Sequence, residues 1–293
     1  MKKFFLSLCA LIFVESSFYS VTRIGILRGM NSIPLAYMFD AESKKTDEER
    51  LFEFTVFDSP VDLFREMQKG YIDATVVSSL AAEGLVKKSD GQVKVTAIVS
   101  TTDFYIAGYG MGNYAFSNLV DRKLYVIQNA LSTKMLYYML DKNHIPYEEG
   151  NGGILVEEVK NSSELVEKFL SDKSSFALFS QPELSEVCSR SVSIRKMVDM
   201  QEQYQILEGN GKIVPLSVLV IRSRLENENM HAVQELKRNL EESLEQAVLK
   251  PRTAARIISK NKFGIPEKNC AEAIKKSNFN FIPVNGDFVL KIY

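Results

Sequence analysis

The chain has 293 residues, 45% of them hydrophobic and 25% charged, with 15 glycines and 8 prolines; this composition excludes disordered, collagenous and multi-span membrane proteins. Its 36 basic and 37 acidic residues leave a formal net charge of -1, which gives no electrostatic footprint for nucleic acid or an anionic membrane surface. The length predicts two domains or one large one.

The first element is an export signal. Lys2 and Lys3 precede an apolar run from Phe4 to Val14, then Glu15, Ser16 and Ser17. The run is shorter than the ~20 residues of a permanent transmembrane helix, and the order basic, apolar, small is that of a secretory signal peptide. Residues 1–20 are read as that signal, with removal near Ser16 to Ser20, which places the mature chain in the periplasm or on the extracellular face of the cytoplasmic membrane. Cys9 lies inside the apolar run behind Leu8 rather than behind a small residue, which disfavours a lipid anchor. Cys188 and Cys270 stand far apart and form no pattern with His144 and His231, so both are read as packing residues and no metal site follows.

From Thr22 onward, short β-rich apolar runs alternate with amphipathic stretches, the pattern of βαβ units around a mostly parallel sheet. Thr22 to Leu27 reads as a strand, followed by a turn at Arg28, Gly29, Met30 and Asn31. Ser32 is expected to cap a helix from Ile33 to Phe39, with Pro34 in its first turn. Phe52 to Phe57 is a second strand, and Asp58 or Ser59 caps a helix begun by Pro60 that Gly70 stops. Ile72 to Val77 is a buried strand, and Ser78 and Ser79 open a further helix through Leu80, Ala81 and Leu85. Val93 to Val99 is a fourth strand. Thr101 to Tyr109 continues extended into a loop with Gly108, Gly110 and Gly112, read as the crossing to a second lobe.

The second series repeats this logic: a strand at Leu124 to Ile127, a polar turn from Gln128 to Ser132, and a helix from Thr133 to Asn143. Ile154 to Val159 is a strand, Ser162 caps the helix after it, and Ser175 to Phe179 is a strand ending at Gln181 and Pro182. Val192 to Val198 is a further strand candidate. Ile213 to Ile221 reads as an apolar strand running back between lobes. Met230 to Lys250, Pro251 to Lys260 and Ala271 to Lys276 form a helical tail placed against the first lobe.

The string from Ser59 to Ile106, with Leu63, Gly70, Tyr71, Ile72, Asp73, Ala74, Leu80, Ala81 and Ala82, then Gly91, Val93, Val95 and Ala97, resembles the nitrate, sulfonate, taurine and thiamine-precursor group of periplasmic solute-binding proteins. The closing stretch Ala273, Ile274, Phe279, Asn280, Phe281, Ile282, Gly286 and Asp287 is similar to the end of that family's core. The Gly-x-Ile-Asp-Ala run from Gly70 to Ala74 also has an independent structural reading, a helix stop before a buried strand. The resemblance implies an α/β, type II periplasmic-binding-protein fold: two βα lobes joined by a two-strand hinge, residues 21–105 plus 216–293 forming one lobe and 106–215 the other. It implies a binding protein without catalytic residues, cofactor or metal, acting as a monomer, that hands a small-molecule ligand to an ABC importer permease.

In open α/β sheets ligands sit outside the carboxyl ends of the strands, where helix N-termini present unpaired N–H groups. The corresponding loops contribute Gly29, Met30, Asn31 and Ser32, then Ser59, then Ser78, Ser79 and Leu80. From the second lobe come Asn129, Ala130, Ser132 and Thr133, joined by Gln181 and, at the hinge, Tyr105, whose ring could stack on a planar ligand. Turn and capping chemistry is the competing reading for most of them. Arg28 could hold a sulfonate or nitrate-like anion or stand solvated. The neutral polar loops lean towards a heterocycle such as a vitamin precursor. Two other classes remain open. Asn31, Ser32, Pro34 and Leu35 are similar to the start of chorismate dehydratases, enzymes on the same fold, although these are cytoplasmic and the export signal argues against them. A ligand-sensing receptor lobe would need a long membrane segment.

Overall fold

The computed structural model describes residues 21–110, 112, 114–147 and 152–284. The signal peptide expected at 1–20, Cys9 within it, and the closing positions Gly286 and Asp287 lie outside the described residues.

The first part of the chain forms β1 (Thr22–Leu27), a 3-10 turn at Met30–Leu35, α1 (Ala36–Glu42), β2 (Phe52–Phe57), α2 (Pro60–Gln68), β3 (Ala74–Ser78), α3 (Ser79–Lys88) and β4 (Val93–Thr101). The second part forms β5 (Tyr105–Tyr109), β6 (Lys123–Ile127), α4 (Leu131–Lys142), β7 (Leu155–Val159), α5 (Ser162–Ser171), β8 (Phe176–Phe179), α6 (Glu183–Arg190), β9 (Ile194–Asp199) and α7 (Met200–Glu208). The chain then returns through β10 (Pro215–Arg222), α8 (Ser223–Glu228), α9 (Met230–Leu249), α10 (Pro251–Lys260), α11 (Glu267–Lys276) and β11 (Phe279–Pro283).

Two sheets result, one of six strands in the order β11-β4-β10-β3-β1-β2 and one of five in the order β7-β6-β8-β5-β9. Each is mixed. β1 is parallel to β2 and β3, and β6 to β7 and β8, whereas β10 and β5 run antiparallel to both of their neighbours. The expectation of mostly parallel sheets is corrected here: βα units supply only the parallel set, and the strands that begin or end at a crossing enter the sheets in the opposite sense.

Both faces of each sheet are covered. Ile24, Ile26, Val76 and Leu219 pack with Leu236, Leu240 and Leu244 of α9 on one face of the first sheet. Leu63 and Met67 of α2 and Ala82 and Leu85 of α3 cover its other face. The second sheet is enclosed by α4 on one side and by Leu165, Phe169, Leu184 and Val187 on the other. The α9 tail therefore closes the first core, as its apolar periodicity predicts.

Local chemistry sets most element starts. Ser59 accepts from Val61 N at 3.1 Å with Pro60 at the first helical position, and Ser78 accepts from Ala81 N at 3.3 Å. Four local expectations are corrected. Ser32 caps no helix: it is fully buried inside the 3-10 turn, its N–H and hydroxyl both donate to Gly29 O, and α1 starts only at Ala36. Asn161, not Ser162, caps α5 by accepting from Glu164 N at 3.0 Å. The crossing is not the glycine loop but Thr102 to Phe104, since β5 already pairs with β8 and β9. β10 likewise does not run between lobes; it lies wholly in the first sheet, between β3 and β4.

Candidate functional site

The strand registers locate the site. Leu27 pairs with Phe57, and β3 continues the same parallel set, so the loops after β1, β2 and β3 leave one edge of the first sheet. In the second sheet Ile127 pairs with Val159, and β8 is parallel to β6, so the loops after β6, β7 and β8 again share an edge. The crossing lies at both edges: Thr101 pairs with Pro215 beside the end of β3, and Tyr105 pairs with Phe179 at the end of β8. The carboxyl ends of both parallel sets therefore converge on the segments that join the lobes.

On the first side a neutral polar floor is assembled. Ser217 of β10 pairs with Ser78 on one flank and Ser100 on the other, and its hydroxyl donates to Asn31 Oδ1 at 2.8 Å. Ser79, fully buried, donates its hydroxyl to Pro215 O at 2.6 Å and so ties the start of α3 to the returning strand. Ser217 and Ser100 were not among the candidates. Their only sequence signal is a polar residue interrupting an apolar strand, which reads as easily as surface alternation.

The remaining candidates sort by exposure. Asn31, Met30, Ser59, Ser78 and Leu80 are half-buried, while Ser32 and Ser79 are enclosed. The Gly29 N–H is taken by Phe263 O at 2.8 Å, an approach that Gly264 permits because a Cβ there would sit 3.0 Å from Arg28 Cβ. Arg28 pairs with Asp58, Nε to Oδ1 at 2.6 Å, at the mouth of this edge. On the second side Asn129 is exposed with φ 59°, the left-handed geometry asparagine tolerates, and Ala130 is half-buried. Thr133 spends its hydroxyl on Ile127 O at 2.6 Å, and Gln181 is buried with its Oε1 accepting from Ser185 Oγ at 2.5 Å. Ser132 is also buried. Tyr105 presents a ring already covered by Lys196 Nζ, 3.6 Å from its centroid, beside a cavity of about 420 Å³ lined by Tyr114, Asp199 and Glu202. That face of Tyr105 is occupied by a cation–π contact rather than open to stacking.

The crossing itself is cross-linked. Thr102 N donates to Val214 O at 2.9 Å, and Gln201 Oε1 accepts from both the Thr102 hydroxyl (2.8 Å) and Val214 N (3.2 Å). Gln201 Nε2 donates to Lys212 O at 2.7 Å, so one side chain joins the two segments that connect the lobes. Asp103, in the same segment, is buried, and burial pushes its carboxyl up to about 7. Among the described residues no group of three or more His, Cys, Asp or Glu side chains could hold a metal ion, and no helix is long and apolar enough to cross a membrane.

No family model matches the chain, and no curated protein matches it in sequence. Solved structures do match in shape. The crystal structure of an ABC transporter from Parabacteroides distasonis superposes with a TM-score of 0.68 at 17% identity, covering 90% of this chain and 86% of that one. The periplasmic aliphatic sulphonate binding protein SsuA from Escherichia coli gives 0.67 at 13% identity over 90% and 82%. The ligand-binding component of an ABC-type import system from Staphylococcus aureus, with zinc bound, gives 0.58 at 14% identity over 90% and 86%. The fold is therefore that of the periplasmic binding proteins, two α/β lobes on a two-segment hinge. Within that class these neighbours include an aliphatic sulphonate binding protein and the ligand-binding component of an ABC-type import system.

Proposed function

We propose that the chain is the extracytoplasmic solute-binding component of an ABC importer, exported by its N-terminal signal, and that it performs no chemistry of its own. Residues 21–101 with 215–284 form one lobe and 105–208 the other, which moves the expected boundaries by the residues that pair at each crossing, Tyr105 with Phe179 and Pro215 with Thr101. A small polar or heterocyclic ligand, whether a sulfonate, a nitrate-like anion or a vitamin precursor, sits between the loops around Asn31, Ser59 and Ser78 and those around Asn129 and Gln181. Closure of the lobes then presents the loaded form to a membrane permease.

The observation that carries this reading is the convergence of both sets of carboxyl strand ends on the crossing, with the neutral floor of Asn31, Ser78 and Ser217 at that place. Such groups orient a ligand through hydrogen bonds and impose no charge. Arg28, already paired with Asp58, gives an anion only a shared cation.

The test is native mass spectrometry of the chain purified from its own host, with thermal-shift screening against sulfonates, nitrate, thiamine precursors, riboflavin and chorismate. A retained small molecule, or saturable stabilisation of the mass-action form, supports transport. Conversion of chorismate would replace the importer with an enzyme. Absence of any stabilisation together with a co-purifying protein would replace it with a receptor lobe.

A further inference from the structure

The crossing holds a buried acid that the hydrogen bonds there do not account for. Asp103 stands in the middle of the Thr102 to Phe104 segment and is 2% exposed. Its Oδ1 has no hydrogen-bond partner among the described residues, and neither has the buried Ser277 Oγ, although that hydroxyl is close enough to draw the carboxyl's pKa down. A carboxylate so placed is strongly disfavoured, so the group either holds its proton or moves until it finds water or a cation.

The groups around Asp103 come from both lobes. Ser277 and Asn278 connect α11 to β11 in the first lobe, and Asn278 Nδ2 donates to Thr102 O at 2.8 Å. From the second lobe Glu183 of α6 opposes the charged form and Lys196 of β9 favours it. Tyr105 of β5 stands two residues on, and Asp199 and Asp103 both oppose its ionisation. Because these partners belong to different lobes, rotation about the crossing changes their distances from the carboxyl. Gln201 ties the Thr102 hydroxyl, on one side of Asp103, to Val214 N, and Met200 N donates to Phe104 O on the other.

We propose that Asp103 couples the angle between the lobes to its own protonation, the described arrangement holding the neutral acid and proton loss driving the chain to an arrangement in which the carboxylate meets water or Lys196. By reciprocity, whatever changes the angle between the lobes, a bound ligand included, changes the proton affinity of Asp103. The elevated carboxyl in the described arrangement agrees in direction.

The experiment needs no ligand. Small-angle X-ray scattering of the purified chain from about pH 5 to about pH 9 reads the interlobe arrangement across the range where a buried carboxyl of this kind titrates. A ¹³C-carboxyl titration reads Asp103 directly. The expected result is a two-state change in scattering whose midpoint coincides with that of the Asp103 resonance, and an Asp103→Asn variant fixed in the low-pH form. A scattering profile constant with pH, or a change that persists in folded Asp103→Asn, overturns the proposal. Should that variant fail to fold, the wild-type midpoints decide: if they do not coincide, the coupling does not exist.

Discussion

Asp73 explains why a Gly-x-Ile-Asp-Ala string, Gly70 to Ala74, sits where it does. Its carboxylate accepts from Arg23 N, Nε and Nη2 and from Arg222 Nη1, which joins the start of β1 to the end of β10. Gly70, at φ 84°, ends α2 where a Cβ would lie 3.0 Å from the Arg222 guanidinium, so glycine serves both the turn and the clamp. Asp73→Asn is expected to lose about 2 kcal/mol in urea unfolding, the partial exposure of Arg23 holding the loss below that of a fully buried pair. The motif is thus structural, and it was legible because glycine and acid stand at a fixed spacing around a buried strand. Asn31 was legible as a turn residue, but its role rests on Ser217, a residue 186 positions away in sequence. Asn31→Ala is expected to weaken binding of the ligand found by mass spectrometry by about tenfold in calorimetry, the value of roughly one ligand hydrogen bond.

At the scale of elements, the long α9 is the clearest case of periodicity turned into packing. Leu236, Leu240 and Leu244 are buried against the first sheet beside Ile33, Leu35 and Met38. Leu240→Ala is expected to cost about 3 kcal/mol in chemical denaturation, through lost transfer energy and the residual cavity. β1, β2 and α10 begin and end where the sequence predicts, because a buried apolar run, an alternating apolar–polar run and a proline start each leave little choice. α6, α7, α8 and β11 were not foreseen as elements. They are short or half-exposed, and their order depends on neighbours: β11 exists as a strand by pairing with β4.

For the whole molecule, the two segments that join the lobes carry both the Gln201 cross-link and the buried Asp103. Gln201→Leu leaves the Thr102 hydroxyl and Val214 N–H without the acceptor they share; the expected cost is on the order of 2 kcal/mol, with a broader interlobe distance distribution in scattering. Burial raises Asp103 from an ordinary 3.8 to about 7 in the folded chain. Between about pH 4 and about pH 7 the folded chain keeps a proton that the unfolded chain loses. This group's contribution therefore favours folding most below about pH 4 and declines as pH rises to about 7, by on the order of 4 kcal/mol, then stays level. Urea midpoints measured across that range should show the decline in the wild type and its absence in Asp103→Asn.

The sequence by itself determined the alternation of strands and helices, the helix starts after β2 and β3, and the tail's packing face, because each depends on residues close together along the chain. The tertiary structure alone decided that β10 lies antiparallel inside the first sheet, that Ser217 meets Asn31, and that Lys196 covers Tyr105. It also brought Asp103 under groups from both lobes. These are contacts between segments far apart in sequence, and strand register and chain crossing, which local propensity does not encode, bring them together.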